Sequence, residues 1–334
     1  MSGMLKKSKN MIIQILKVGF SAGIIFLLIK SDKLNFNVLK NLLHPTYAVA
    51  GLTLVFIGSF LFSERWRMLI KSQGINAGMW GTFKLSMIGA FFNFAMPGGI
   101  GGDIVKAYYF TRDFPGTKVV AVTSVLMDRV LGLFAMILMA MVVMFYDLDH
   151  IMKMPVLWTL FLVISSLFLG FSVALALIFS KGLYDNGTLK RILDKLPLSA
   201  KTIKLYESMH LYGNHGGRVL ATVILSLVGQ CSTILFMAMV GSAAGYGDVS
   251  LKTYFLVAPL GFMATAVPIS PAGVGVGQAA FYFLFNLYLG SSTELGPTVI
   301  TAFQVTTFLV SLSGALFYLQ KKERINPQQL EEIT

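Results

Sequence analysis

Residues 253–293 run for 41 positions without an Asp, Glu, Lys or Arg, and are broken in the middle by Pro268-Ile-Ser-Pro-Ala-Gly-Val-Gly-Val-Gly277. Drawn as one helix at ~1.5 Å per residue, the stretch would be about 60 Å long, roughly twice the hydrocarbon thickness of a bilayer. The chain must therefore turn inside or close to the membrane. Residues 85–102 behave alike, being uncharged and running into Met96-Pro-Gly-Gly-Ile-Gly-Gly-Asp103. Six further segments reach the ~20 mostly apolar residues that a spanning helix needs: 11–30, 44–63, 118–146, 155–180, 218–244 and 297–319. Charged residues make up only 13% of the 334, against ~25% in soluble domains. So few charges cannot cover a globule in water, which excludes a soluble fold and a disordered chain. The one cysteine, Cys231, excludes an intrachain disulfide scaffold.

The expected fold is an all-α polytopic membrane protein, a single integral membrane domain over 1–334. It has six spanning helices plus two re-entrant Gly/Pro-rich helical hairpins, about eight apolar segments in all. The positive-inside rule sets the orientation. Twenty of the 27 Lys and Arg lie in 1–17, 64–84, 112–118, 181–218 and 321–324. These clusters share one face only if 82–112 and 252–290 both enter and leave on the same side. Both termini are then cytoplasmic, and the basic loop 181–217 is cytoplasmic too, either as an amphipathic helix on the inner leaflet or as a solvated connector. Lys6, Lys7 and Lys9 precede the first apolar run as in a signal peptide, but no small-x-small cleavage site follows. The net charge of +12 sits in short loops. Anionic membrane lipids, rather than nucleic acid, are its expected partners.

The order of segments repeats. Residues 11–146 read span, span, hairpin, span, and residues 155–319 read the same starting from the opposite face. The hairpin tips are alike: Pro97-Gly98-Gly99-Ile-Gly101 resembles Pro271-Ala-Gly273-Val-Gly275, followed by Ala-Tyr-Tyr-Phe at 107–110 and Ala-Phe-Tyr-Phe at 280–283. An inverted-topology repeat with broken helices meeting at the midplane is a transporter pattern.

Two features point to chemistry. Non-helical backbone is tolerated at membrane depth only where it is buried in protein or lines a wet cavity. Each glycine tip precedes a helix start, near Asp103 and near Gln278. The N–H groups of such starts suit a phosphate, and glycine lets it approach the main chain. The alternatives are that Gly98, Gly99, Gly101, Gly102, Gly273 and Gly275 only let the hairpins cross closely, or that Asp103 caps its own helix. The second feature is intramembrane charge, which is costly and usually paired. Asp128 and Arg129 lie ten residues into their span, about 15 Å deep at 1.5 Å per residue. The expected pairs are Asp103 with Arg129 and Lys106 with Asp128, with Asp103–Lys106 as an i,i+3 alternative. Glu64, Arg65, Trp66 and Arg67 read either as phosphate-binding forks or, more simply, as a positive anchor at the membrane surface. No catalytic motif, metal set or cofactor-binding motif is present, and His210 and His215 have no carboxylate or thiol beside them.

In order, Arg65-Trp-Arg67, Pro97-Gly-Gly-Ile-Gly-Gly-Asp103 with Lys106, Asp128-Arg129-x-x-Gly132 and Pro268-x-x-Pro271-x-Gly273-x-Gly275 resemble the lysylphosphatidylglycerol synthase transmembrane family, also described as flippase-like. The resemblance covers nearly the whole chain. It implies a multi-pass protein of the plasma (inner) membrane that translocates an anionic or aminoacylated phospholipid or a polyprenyl-phosphate lipid. Alternatively, it implies the membrane subunit of a lipid-modifying transferase, with a small-solute transporter as a third reading. It leaves a separate lipid-modifying enzyme and a homo-oligomer open as partners. This chain departs from the family's last motif in having Ala272-Gly273 and, where the family often has Glu, Gln278. It also lacks the soluble aminoacyl-transferase domain of the full-length synthases, so lysine transfer is not expected of it.

Overall fold

A computed structural model describes residues 44–95, 101–180, 207–267 and 270–321. The first expected span (11–30), Pro97, Gly98, Gly99 and most of the basic loop (181–206) lie outside the described residues.

Every described element is helical: α1 Pro45–Ser72, α2 Met79–Ala95, α3 Gly101–Asp113, α4 Lys118–Tyr146, α5 Leu148–Lys153, α6 Pro155–Phe179, α7 Gly216–Ala243, α8 Leu251–Ala266, α9 Val276–Leu289 and α10 Leu295–Gln320. Five of them are long and apolar enough to cross a membrane: α1, α4, α6, α7 with the turns from Glu207 before it, and α10. This is a multi-pass membrane protein. Local chemistry sets several ends. Pro45 and Pro155 open α1 and α6, where the missing N–H costs nothing. Gly290 closes α9 in the left-handed conformation (φ 65°).

The two segments that are too long or too broken to be single spans fold as helix pairs. α2 packs on α3, and α8 packs on α9. These four helices have 17, 13, 16 and 14 residues, each short of the ~20 needed to span. The second pair turns through Ala272 (φ 48°), Gly273 (φ 70°) and Gly275 (φ 87°). That run of positive φ has no helical continuation. Apolar side chains fill the space between elements, with Phe281 and Phe285 fully buried in the largest core cluster.

The packing maps onto itself when the two halves are exchanged. α2 packs on α10 as α8 packs on α4; α3 packs on α4 as α9 packs on α10; α1 packs on α4 as α7 packs on α10. At the centre, α1 and α7 lie side by side and run antiparallel. Ser232 Oγ bonds Leu54 O, Arg65 Nη1 donates to Ser226 Oγ at 3.1 Å, and Arg218 Nη1 donates to Lys71 O at 2.9 Å. Residue numbers rise on one helix as they fall on the other.

One boundary differs from expectation with consequences. α1 does not end near residue 63 but continues to Ser72. Arg65 and Trp66 therefore pack among the helices: Trp66 is fully buried and Arg65 is nearly so. The helix can carry them inward because partners on α4 and α7 satisfy both polar groups.

Candidate functional site

The charged residues of the first half assemble on three helices. Asp128, on α4, accepts from Arg65 Nε at 2.7 Å, and Lys106 Nζ of α3 lies 3.6 Å from its other oxygen. Lys106 also sits over the Trp66 ring, 3.9 Å from its centroid, a favourable place for a cation. Trp66 Nε1 donates to Ser124 Oγ at 3.1 Å. One helical position on, Arg129 Nε donates to Asp103 Oδ2 at 2.6 Å. Both cross-element pairs expected from the sequence are thus formed, and Arg65 joins them as a third cation. Burial makes this network consequential. A carboxylate and two cations are each taken from water, and their mutual attraction with good hydrogen bonds has to offset that desolvation.

The Arg65 guanidinium needs room, and Gly132 supplies it. A Cβ there would lie 2.9 Å from Arg65 Nη1. This gives the Asp128-Arg129-x-x-Gly132 spacing a physical reason: residues 128 and 132 are one turn apart, so the carboxylate and the gap face the same guanidinium.

At each hairpin start one backbone N–H is taken up by a side chain. Gly102 N–H donates to Asn93 Oδ1 at 3.0 Å, and Gly275 N–H donates to Gln278 Oε1 at 2.7 Å. Asp103 turns to Arg129 instead of capping. Gly102 lets the two arms of its own hairpin approach closely, since a Cβ there would fall 1.9 Å from Gly89 O on α2. Gln278 is buried behind the second tip. Its amide donates to Gln304 Oε1 at 2.7 Å and Thr301 Oγ1 at 3.1 Å, and Gln304 Nε2 reaches Ala272 O at 3.3 Å. Arg67 lies apart from the network, held by Glu64 one turn back on α1 (Nε–Oε2 2.6 Å).

Between the two hairpins is a cavity of about 620 Å³. Asn93, Asp103 and Arg129 line it from the first half, and Ser270, Gln304 and Thr307 from the second. A second cavity of about 360 Å³ shares Asn93, Asp103 and Arg129 with it and extends to Arg65, Lys106 and Asp128. The Arg129 side chain is 52% exposed while its partner Asp103 is 19% exposed, so the guanidinium presents more of itself to the open space. The combined void has one charged wall, made by α3 and α4 with Arg65 behind it. The facing wall is uncharged and largely apolar, with Phe262, Ile300 and Phe303 beside the polar Ser270, Gln304 and Thr307.

Against known proteins, the family described as "Lysylphosphatidylglycerol synthase TM region" matches residues 14–314. The chain belongs to this family. Two relatives are UPF0104 membrane proteins of archaea. One, from Methanocaldococcus jannaschii, is 25% identical over 284 residues, 80% of this chain and 81% of its own. The other, from Methanothermobacter thermautotrophicus, is 22% identical over 281 residues, with the same coverage. No solved structure matches. Family membership accords with the ordered motifs at 65–67, 97–106, 128–132 and 268–275.

Sequence reasoning missed Asn93, Ser270, Gln304 and Thr307. The signal was present in part. Asn93 and Gln304 are amides inside otherwise apolar helices, where side-chain amides usually bond across an interface. Ser270 and Thr307 carried no such signal, because single hydroxyls bond their own helix backbone as readily.

Proposed function

We propose that this protein is a lipid translocator that handles an anionic phospholipid or polyprenyl-phosphate headgroup. The observation that carries the reading is the meeting of the two hairpins, one from each half, at a single cavity with paired charges at its edge. In this reading 82–112 and 252–290 are re-entrant and the halves are inverted in the membrane, as the antiparallel α1 and α7 suggest. The termini face the cytoplasm and the membrane is the inner one. The phosphate engages Arg129 and the amide of Asn93, with Lys106 and Arg65 adding positive potential from behind. The acyl chains lie along the apolar remainder of the cavity. Exchange between faces comes from rocking of the two halves about α1 and α7.

The test is transport. Purified protein in liposomes should move a fluorescent anionic phospholipid between leaflets, and Arg129→Ala should slow it at least about tenfold, the scale of losing a charge-assisted hydrogen bond. Failure of the wild-type protein to move any phospholipid or polyprenyl phosphate would end this reading. The family's name favours a second one, a membrane subunit of a lipid-modifying transferase whose donor comes from a separate enzyme. Lipid analysis of a deletion strain separates the two. A missing lipid species supports synthesis, and a changed leaflet distribution supports transport.

A further inference from the structure

Away from the cavity, two clusters of contacts stand at opposite ends of α4, and each joins one half of the molecule to the other. Asp147, just past the end of α4, accepts from Lys252 Nζ at 2.6 Å and from the Tyr288 hydroxyl. Lys252 lies at the start of α8 and Tyr288 near the end of α9, so one carboxylate holds both arms of the second hairpin at their base. At the other end, Lys321, just past the end of α10, donates to both oxygens of Asp113 at 2.7 and 2.8 Å and lies 4.9 Å from the centre of the Tyr109 ring. Asp113 is the last residue of α3. One turn back on α10, Phe317 meets the ring of Trp80, near the start of α2, edge-on at 5.8 Å. The end of α10 thus holds both arms of the first hairpin at their base.

The two clusters are counterparts. Exchanging the halves carries α4 onto α10 and the second hairpin onto the first, and with them the contacts of Asp147 onto those of Lys321. The charges are reversed, since the span supplies the carboxylate in one cluster and the ammonium in the other. α4 has 29 residues, which at ~1.5 Å each puts its ends about 43 Å apart. Asp147 follows its last residue and Asp113 shortly precedes its first. The cavity lies between them, where Asn93 and Ala272 bring the two hairpin tips together. If the halves rock about α1 and α7, the base of one hairpin must leave the opposing span at whichever end opens. These bonds run directly across that gap, and a separation of about 1 Å is enough to end them.

Resting on the rocking of two halves in the translocator reading, we infer that these clusters are latches, each closing the way to the cavity at one end of the molecule. Opening at the Asp147 end requires Asp147 to release Lys252 and Tyr288 while Lys321 keeps Asp113. Opening at the Asp113 end requires the reverse. Both latches are formed together in the described structure, as fits a state between the two openings. Their carboxylates are unequally placed. The Asp147 side chain is 12% exposed, whereas that of Asp113 is 43% exposed and water competes for it. Releasing the Asp147 latch therefore shifts the balance between the two openings further.

The experiment reads the cavity from each side. In the full chain with Cys231→Ser, Ala266→Cys places a thiol at both voids, and a membrane-impermeant thiol reagent is supplied to one face of membrane vesicles at a time. Asp147→Asn should speed labelling from the Asp147 face at least about fivefold and slow it from the other, because favouring one opening depopulates the other. Asp113→Asn should do the converse by about two- to threefold, the scale of an exposed ion pair. Lys252→Gln and Lys321→Gln break the same bonds from the other partner and should repeat the two patterns, so the inference stays falsifiable should an aspartate variant not fold. Labelling that rises from both faces alike would make the clusters structural clips and overturn the latches. So would unchanged labelling, no labelling of any variant, or a change on the wrong face, and each leaves the translocator reading standing if lipid still moves. The reciprocal pattern in a protein that moves no lipid would uphold the latches and end the lipid reading alone.

Discussion

Arg65 and Asp128, 63 residues apart in the chain, meet with Nε 2.7 Å from Oδ1 inside a helix bundle. The same guanidinium donates to Ser226 on α7. One side chain thus bonds across to α4 and to the helix related to its own by exchange of the halves. Its charge is satisfied by buried partners between helices.

Breaking this pair from one side should cost more than removing it. Asp128→Asn leaves Arg65 and Lys106 without their carboxylate and is expected to destabilise by about 3–5 kcal/mol. Adding Arg65→Met and Lys106→Met to it should recover part of that loss. Thermal unfolding in detergent measures both, and a triple variant less stable than Asp128→Asn would contradict the expectation.

Gly132→Ala separates helix propensity from seating of the guanidinium. Alanine favours the helix by about 0.8–1.0 kcal/mol over glycine, but its Cβ would stand 2.9 Å from Arg65 Nη1. The outcome expected is near-unchanged thermal stability with lipid movement reduced several-fold. In an Arg65→Met background the substitution should no longer reduce lipid movement and should raise thermal stability by about the 0.8–1.0 kcal/mol helix gain, because the group it crowds is gone. Full additivity in that cycle would show that Gly132 does not act through Arg65.

At the far end of α4, Asp147 bonds Lys252 at the start of α8 (2.6 Å) and the hydroxyl of Tyr288 near the end of α9. Burial raises its pKa, but the bonds from Lys252 and Tyr288 outweigh that and hold the carboxyl below its ordinary value. The folded-state pKa is depressed, so the contribution to stability is full above the unfolded value of ~3.9. It is lost as pH falls through the folded value. Asp147→Asn should flatten the acid limb of a stability-versus-pH curve below about pH 4 and lower stability at pH 7. An unchanged acid limb would remove Asp147 from that role.

The inverted arrangement predicts opposite faces for two exposed carboxylates, Asp113 at the end of α3 and Asp149 in α5. In a Cys231→Ser background, Asp113→Cys should react with a membrane-impermeant thiol reagent only when it is supplied on the cytoplasmic side, and Asp149→Cys only from outside. The reversed pattern, Asp113→Cys labelled from outside and Asp149→Cys from the cytoplasmic side, would show that 82–112 passes through the membrane, and labelling of both from one side would show that α4 does not cross.

Much of the fold was legible because water and lipid sort side chains so strongly. The long apolar runs at 118–146 and 155–180 came out as α4 and α6 within a residue. The uncharged 41-residue stretch came out as a helix pair because no single helix of that length fits. The end of α1 was misplaced for an equally physical reason. Ser-Glu-Arg-Trp-Arg looks like an interface when each residue is judged alone. Whether Arg65 stays in the helix interior depends on Asp128 and Ser226, which lie far away in the sequence. The glycines of the tips were ambiguous in the same way, since a phosphate and a crossing backbone both need a missing Cβ. The position of Gly89 O beside Gly102, inside one hairpin, is a contact that only the tertiary structure supplies.

By itself, then, the sequence determined that this chain is a helical multi-pass membrane protein, with two broken segments and buried charges of both signs that must find one another. Those are consequences of hydropathy and of the cost of a bare charge, and both act residue by residue. The tertiary structure decided which helix carries the third cation, which amides hold the hairpin starts, and that Ser270, Gln304 and Thr307 face Asp103 and Arg129 across one cavity. Those facts depend on how distant helices pack, where a rotation of one turn would turn the same side chains toward lipid.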